Sequence, residues 1–212
     1  ILNLFIFSCI KVSLFITLLS MALKKKIFFL INKFNEINLD YVKLTGAILV
    51  LRNTEKISIK ELKKYKNELN RRRIVFFIAN NLRALFAMRS NNFYVSAYNK
   101  KNFCHLKKIN KKINIIGSAH NYFEINQKIK QGCNQILLSR LFKTNYVNKK
   151  SFLGKNRFNL LANSFSVNFI ALGGINEKNF NQTRDLNITG IALQAAKKKA
   201  GKFIPAFFKK TF

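Results

Sequence analysis

Eight short apolar runs, separated by longer segments of mixed polarity, constrain the fold of this chain more than any other feature. The runs are rich in β-branched and aromatic residues and are bounded by turn residues, which is typical of buried strands. They span residues 27–31, 47–51, 74–79, 92–96, 113–117, 135–139, 168–172 and 188–193. Because strands that alternate with helices form parallel sheets, eight such units in 212 residues predict an α/β protein with a single (β/α)8 TIM barrel. An open doubly wound sheet is the alternative, which the strand count disfavours.

Helix start and stop signals lie between several of these runs. Ser58, followed three residues later by Glu61, forms a capping box that predicts the start of a helix. A second helix is predicted over 121–132, where a glycine ends it, and a third over 175–186. Residues 143–166 predict a long loop before their helix, at the end of the barrel where binding sites are built.

The first 20 residues form an apolar leader that we expect to lie outside the mature chain. Lys11 sits in the middle of its apolar run, whereas a secretory signal carries its charge ahead of that run. We therefore expect the protein to start at Met21, and residues 21–212 to form the barrel domain. The alternative is a membrane anchor, for which the lysines at 24–26 would be the cytoplasmic flank.

The charge of the chain is strongly unbalanced, with 39 Lys and Arg against 8 Asp and Glu and a formal net charge of +31. The basic residues are spread along the whole chain, and no RNA-binding aromatic signature interrupts them. Compositional drift therefore explains the charge better than a specific nucleic-acid partner does. A small anionic substrate fits the charge as well, and a basic polyanion-binding protein with salt-sensitive affinity is a further alternative.

The three cysteines, Cys9, Cys104 and Cys133, are too widely spaced for a zinc pattern or a disulfide framework. This spacing favours a reducing, cytoplasmic setting. Association with a membrane is not expected. The oligomeric state is left open, a homo-oligomer included.

The segment FIALGGIN places Gly173 and Gly174 directly after the seventh apolar run. By itself this pattern fits a plain strand-to-helix turn. Barrels, however, frequently bind phosphate with the loops after strands 7 and 8. The backbone of Gly173 and Gly174 is therefore predicted to bind the phosphate of a small substrate, together with Gln194 and Ala195 after the eighth run.

Several segments in order resemble the motifs of the thiamine phosphate synthase and TenI family, over about residues 27 to 196. The segments are LVLRN (49–53), FFIANN (76–81), FYVSAYN (93–99), IIGSAHN (115–121), GCNQILLSRLFKT (132–144) and FIALGGINEKN (169–179). The family patterns they resemble are VQLRxK, LIINDR, VHLGQxD, IIGVSAHS, GADYVGLGPIYPT and PVVAIGGITPEN. The last match is the most specific.

The resemblance implies a barrel that works in thiamine biosynthesis. Synthases of the family join a pyrimidine methyl diphosphate to a thiazole phosphate, with Mg²⁺ assisting the departure of pyrophosphate. TenI-type relatives instead tautomerise a thiazole carboxylate phosphate. The predicted function is thus a synthase-type transferase, with a TenI-like tautomerase or a non-catalytic binder of thiazole phosphate as the alternative.

The resemblance also implies roles for single residues. Arg52 matches an arginine that contacts phosphate or diphosphate, and Thr144 matches a threonine after strand 6. Ser118 and His120 match the SxH motif and are the catalytic candidates, because a histidine can transfer protons near neutral pH.

The metal positions of the family depart from its pattern in this chain. The two aspartates that bind Mg²⁺ fall on Asn80 and Asn99. An amide offers a cation a neutral carbonyl oxygen and no charge, so the affinity for Mg²⁺ is expected to be reduced.

Overall fold

The eight predicted strands all form, and hydrogen bonding between neighbours closes them into one parallel barrel in the order β1 to β8. The computed structural model describes residues 25–144, 151–176 and 178–194, so the predicted leader 1–20 lies outside the described residues. The strands are β1 (Lys26–Ile31), β2 (Ile48–Leu51), β3 (Phe76–Ala79), β4 (Asn92–Val95), β5 (Asn114–Ala119), β6 (Gln135–Ser139), β7 (Asn168–Leu172) and β8 (Gly190–Gln194). The predicted (β/α)8 barrel is confirmed, and each strand lies within two residues of its predicted bounds.

Helices follow most of the strands and cover the outside of the barrel. They are α1 (Leu39–Thr45), α2 (Ile59–Arg71), α3 (Leu82–Ala87), α4 (Cys104–Ile109), α5 (Tyr122–Lys130) and α6 (Gly154–Asn163), with a short 3₁₀ helix at Phe180–Thr183. In the part of the chain that the structure describes, none of the helices has the length and hydrophobicity needed to cross a membrane.

Alternation along the strands divides the core into two parts. On β1, Phe28 and Leu30 point into the barrel, whereas Phe29 and Ile31 point outward toward the helices. The inward cluster fills the barrel with side chains from all eight strands, namely Phe28, Leu30, Val50, Phe77, Ala79, Tyr94, Ile116, Leu137, Ile170 and Ala192. The barrel is therefore a packed core, and room for a ligand remains only at its ends.

The predicted helix signals act as expected at two helices. The Ser58 side chain accepts a hydrogen bond from the Glu61 amide, and the Glu61 carboxylate accepts one from the Ser58 amide, so the capping box forms. Helix α5 begins after Asn121, whose side chain accepts a hydrogen bond from the Glu124 backbone amide. Gly132 follows the end of this helix and has a left-handed φ of 91°.

The helix predicted over 175–186 is wrong, since only the short 3₁₀ helix forms there. Asparagine side chains bind the backbone of this segment and compete with helical hydrogen bonds. The Asn176 amide donates to Asn179 Oδ1 at 2.8 Å, and Asn179 Nδ2 donates to the Gly174 carbonyl at 2.8 Å. These bonds fold the chain back onto the glycine turn and hold that turn in place.

We expect Phe28→Ala to lower the free energy of unfolding by about 3–5 kcal/mol, because the truncation leaves a cavity inside the barrel. The matched control is Phe123→Ala on α5, which should change it by less than about 0.5 kcal/mol because that ring is 81% exposed. Urea denaturation of the two variants measures the difference. Equal losses of unfolding free energy in the two variants would contradict the burial of Phe28 inside the barrel.

Candidate functional site

A cavity of about 490 Å³ opens at the C-terminal ends of the strands. Its volume is that of a pocket for a small molecule. Among the described residues, two arginines and no carboxylate line it; these lining residues are Leu30, Arg52, Tyr94, Ser96, Ala97, Tyr98, Ser118, His120, Ser139, Arg140, Thr144, Leu172, Gly173, Gly174, Ile175, Ala192, Leu193 and Gln194. A pocket with this lining attracts anionic ligands.

The glycine turn after β7 forms one wall of this cavity. Gly173 and Gly174 have φ angles of 97° and 71°, which side chains rarely adopt. A Cβ atom on Gly174 would lie 2.5 Å from the Phe142 carbonyl oxygen. The loop after β6 therefore packs directly on the backbone of the turn. Glycine is needed at Gly174 both for its positive φ and because there is no space for a Cβ atom.

Arg140 lies next to this turn and is a site residue that the sequence analysis missed. Its side chain packs over Gly173, where a Cβ atom would lie 2.9 Å from Arg140 Cγ. Its Nη1 donates to Thr144 Oγ1 at 3.5 Å. The sequence does hold a signal: where GCNQILLSRLFKT resembles GADYVGLGPIYPT, this chain has an arginine in place of proline.

Arg52 occupies the opposite wall. It follows β2, whereas Arg140 follows β6, and these strands lie across the barrel from each other. The Arg52 amide donates to the Ile31 carbonyl at 2.8 Å, which fixes the start of its loop. Among the described residues, Arg52 takes part in no ion pair, and its buried Nε has no hydrogen-bond partner.

The floor between these walls carries polar groups from β4 and β5. Tyr94 is 4% exposed and its hydroxyl is hydrogen-bonded to Ser118, which is 6% exposed. Burial raises the pKa of Tyr94, so the phenol is neutral and can donate a hydrogen bond. The sequence analysis also missed Tyr94, because a tyrosine within an apolar run is typical of a buried core residue.

His120 follows β5 at the rim of the cavity. Its Nδ1 lies 3.1 Å from the Ser139 carbonyl oxygen, and its backbone amide donates to Glu124 Oε2 at 2.8 Å. A carbonyl oxygen only accepts, so Nδ1 carries a proton and donates to it. This hydrogen bond fixes the orientation of the ring at the cavity wall.

Asn80 and Asn99, the predicted metal positions, bind each other rather than facing the main cavity. Asn80 Oδ1 accepts from the Ser96 amide at 3.1 Å and from Asn99 Nδ2 at 3.0 Å. Asn99 Oδ1 accepts from the Lys101 amide at 3.0 Å. Both amide oxygens are therefore already occupied by N–H donors of the protein.

A buried lysine supports the same loop from behind. Lys128 on α5 is 0% exposed, and its Nζ donates to the carbonyl oxygens of Ser96 at 2.7 Å and Asn99 at 2.6 Å and to Gln131 Oε1 at 2.9 Å. Burial lowers the pKa of this lysine. Three acceptors need three N–H groups, so the geometry is that of the charged ammonium.

These residues do not fit a magnesium site. Mg²⁺ takes oxygen ligands with geometry close to octahedral, usually including carboxylates. Here the two amide oxygens face N–H donors, and a fixed ammonium lies 2.6 Å from the Asn99 carbonyl. Within residues 25–144, 151–176 and 178–194, no group of three or more His, Cys, Asp or Glu side chains is placed to hold a metal ion.

Most of the predicted site residues thus meet in one cavity, namely Arg52, Ser118, His120, Thr144, Gly173, Gly174 and Gln194. Asn80 lies beside it, in an adjoining cavity of about 210 Å³ that shares Arg52, Tyr94, Ser96, Tyr98 and Gln194 with the main one. Ala195 lies outside the described residues. The roles predicted for all of these residues stay predictions.

Solved structures similar to this fold share it at low sequence identity. The thiamine phosphate pyrophosphorylase of Pyrococcus furiosus superimposes with a TM-score of 0.67 and 17% identity, covering 88% of this chain and 95% of that one. The phosphoribosyl anthranilate isomerase of Thermotoga maritima has a TM-score of 0.60 and 13% identity, covering 87% and 97%. At these identities the likeness shows the fold alone.

Sequence comparison is more specific. A thiamine-phosphate synthase of Prochlorococcus marinus subsp. pastoris is 32% identical over 80 residues, which are 37% of this chain and 23% of that protein. The match thus spans about a quarter of the length of that relative. A family model described as thiamine monophosphate synthase matches residues 31–196. Because this match takes in well over half of the 212 residues, the chain belongs to the thiamine monophosphate synthase family.

Proposed function

We propose that this protein is a synthase-type transferase of thiamine biosynthesis, which couples pyrimidine methyl diphosphate to thiazole phosphate. The observation that carries the proposal is the cavity at the C-terminal ends of the strands, which has an arginine on each of two opposite walls and no carboxylate among the described residues that line it. Two anionic substrates can be held there with their reactive rings between the walls. Family membership over residues 31–196 supports the same reaction.

The thiazole phosphate would bind at the wall formed by the glycine turn. The backbone of Gly173 and Gly174 lines the cavity, as a phosphate cradle requires. Thr144 and Gln194 add polar groups, and Arg140 adds a positive charge beside the cradle. A guanidinium suits this task because its fork of N–H donors matches phosphate oxygens.

The diphosphate would bind at the opposite wall, with Arg52 as its counter-charge. The bond between the pyrimidine methylene carbon and the diphosphate oxygen breaks, and pyrophosphate leaves with the electron pair. The lone pair of the thiazole nitrogen then forms the new C–N bond, so no oxidant or reductant is needed. Arg52 stabilises the charge that develops on the leaving group, while Ser118 and His120 lie between the two walls.

A second candidate function is that of a TenI-like tautomerase or a non-catalytic binder of thiazole phosphate. The bonding of Asn80 and Asn99 favours it, since both amide oxygens are taken up within the protein. In that case the glycine cradle and His120 serve a single phosphorylated thiazole. Both candidate functions use the wall formed by the glycine turn to bind a phosphate. They differ in whether a diphosphate reacts at the opposite wall, which carries Arg52.

Arg52→Met should weaken the binding of inorganic pyrophosphate by about tenfold to a hundredfold, because it removes charge-assisted hydrogen bonds. Lys112→Met is the control, since it removes one exposed charge ahead of β5, at the opposite end of the barrel. Calorimetric titration at low and at moderate salt measures both. Equal weakening in the two variants, with binding lost as salt rises, would instead indicate a general polyanion binder.

Arg140→Met should raise the apparent Kd for thiazole phosphate by about tenfold, because a cation beside the cradle is lost. Arg140→Lys should retain part of the affinity, since it keeps the charge and loses the fork. Arg157→Met on the exposed side of α6 is the matched control. An unchanged Kd in Arg140→Met would remove Arg140 from the phosphate site.

Single-turnover formation of thiamine phosphate tests the reaction itself. With protein that starts at Met21, both substrates and excess Mg²⁺, we expect product from the native chain. An Asn80→Asp, Asn99→Asp variant is run alongside, because it restores the carboxylates of the family pattern. Product from the variant alone would overturn the proposed synthase activity of the native chain and favour the second candidate.

A further inference from the structure

We propose that the buried ammonium of Lys128, and not a divalent cation, holds the loop after β4 in its working position. Lys128 would then be a positioning residue for the cavity wall that carries Arg52, Ser96 and Tyr98, which we call the diphosphate wall. Ligands would bind at this wall without a metal ion at Asn80 and Asn99. The inference deepens the proposed function and rests on it only for the identity of the ligand.

The first support is the way in which Lys128 is built into the fold. Its side chain crosses from α5 to the loop after β4 with no exposed surface, and its Cβ and Cγ pack against Gly117 on β5. Any side chain at Gly117 would collide with it, since a Cβ there would lie 2.9 Å from both carbons. The strand thus leaves room for the lysine stem, and the ammonium reaches one fixed place.

The second support is the full set of hydrogen bonds at the ammonium. Its acceptors, the carbonyls of Ser96 and Asn99 and the Gln131 amide oxygen, lie between 2.6 and 2.9 Å from Nζ. Gln131 Nε2 in turn donates to the Asn99 carbonyl at 2.9 Å and to the Lys101 carbonyl at 2.8 Å. A buried charge is tolerated when all its hydrogen bonds are made. Here two of the three end on the loop after β4, and the third ends on Gln131, whose side chain donates to the same loop.

The third support is the connection from this loop to the cavity. Asn80 Oδ1 accepts a hydrogen bond from the Ser96 backbone amide. Asn80 Nδ2 donates to Ser96 Oγ at 2.8 Å and to Tyr98 Oη at 3.0 Å. Ser96 and Tyr98 both line the main cavity and the adjoining one, on the side of Arg52. Lys128 therefore acts on the diphosphate wall through the loop, and its three hydrogen bonds end away from the glycine turn after β7.

Hydrogen exchange of the amides at 96–101 tests the proposal in the free protein. In the native chain we expect the same exchange rates in EDTA and in excess MgCl₂. Lys128→Met should speed exchange in this loop by about tenfold or more, because it removes the three hydrogen bonds that Nζ makes to Ser96, Asn99 and Gln131. Lys130→Met, the same change at an exposed position on α5, should leave it unchanged.

A binding measurement separates positioning from a loss of stability. Lys128→Met should weaken inorganic pyrophosphate binding by about tenfold and leave the affinity for thiazole phosphate unchanged. General destabilisation would weaken both. If Lys128→Met does not fold, Lys128→Gln, which keeps polar contacts without the charge, takes its place, and the comparison of EDTA with MgCl₂ needs no variant.

Slower exchange of the loop when Mg²⁺ is added to the native chain would overturn the inference. So would unchanged exchange and unchanged pyrophosphate affinity in the Lys128 variants. Failure of the native chain to bind thiazole phosphate would overturn the proposed function, whereas the loop exchange would still decide the role of Lys128.

Discussion

Closure of the barrel is the constraint on which the site depends. Strand β1 pairs with β2 on one side and with β8 on the other, so the eight parallel strands all direct their C-terminal ends to one rim. Arg52 and Arg140, which are far apart in the sequence, thereby come to face each other across a cavity. An open sheet of the same strands would place β2 and β6 in different parts of a row, without a common pocket.

The rim is organised by neutral amides and one internal cation. In a chain with 39 Lys and Arg and 8 Asp and Glu, carboxylates are scarce, and the loop after β4 is held by Asn80, Asn99 and Lys128. The two asparagines bind each other and backbone groups, which fixes the loop without adding negative charge beside the arginine-lined pocket. The same pocket therefore keeps the electrostatic character that phosphorylated ligands need.

Much of the fold and part of the site could be predicted because both follow from local patterns. The apolar runs form the strands, and residues singled out at their ends, such as Ser118, His120 and Gly173, line one cavity. The helix predicted over 175–186 failed because Asn176 and Asn179 bind backbone groups of the turn. The spacing of apolar residues along α5 also does not predict that Phe123 is exposed and that Lys128 is buried.

The sequence by itself determined the eight strands, the barrel they form and the glycine turn after the seventh, because these depend on side-chain period and on the backbone freedom of glycine. Only the tertiary structure decided that Arg140 lies beside that turn, that the oxygens of Asn80 and Asn99 are occupied, and that Lys128 is buried as a cation. The reason is that each of these facts depends on partners from other strands. The carbonyls that bind Lys128, for instance, lie 32 and 29 residues earlier in the chain and reach it only when the barrel has formed.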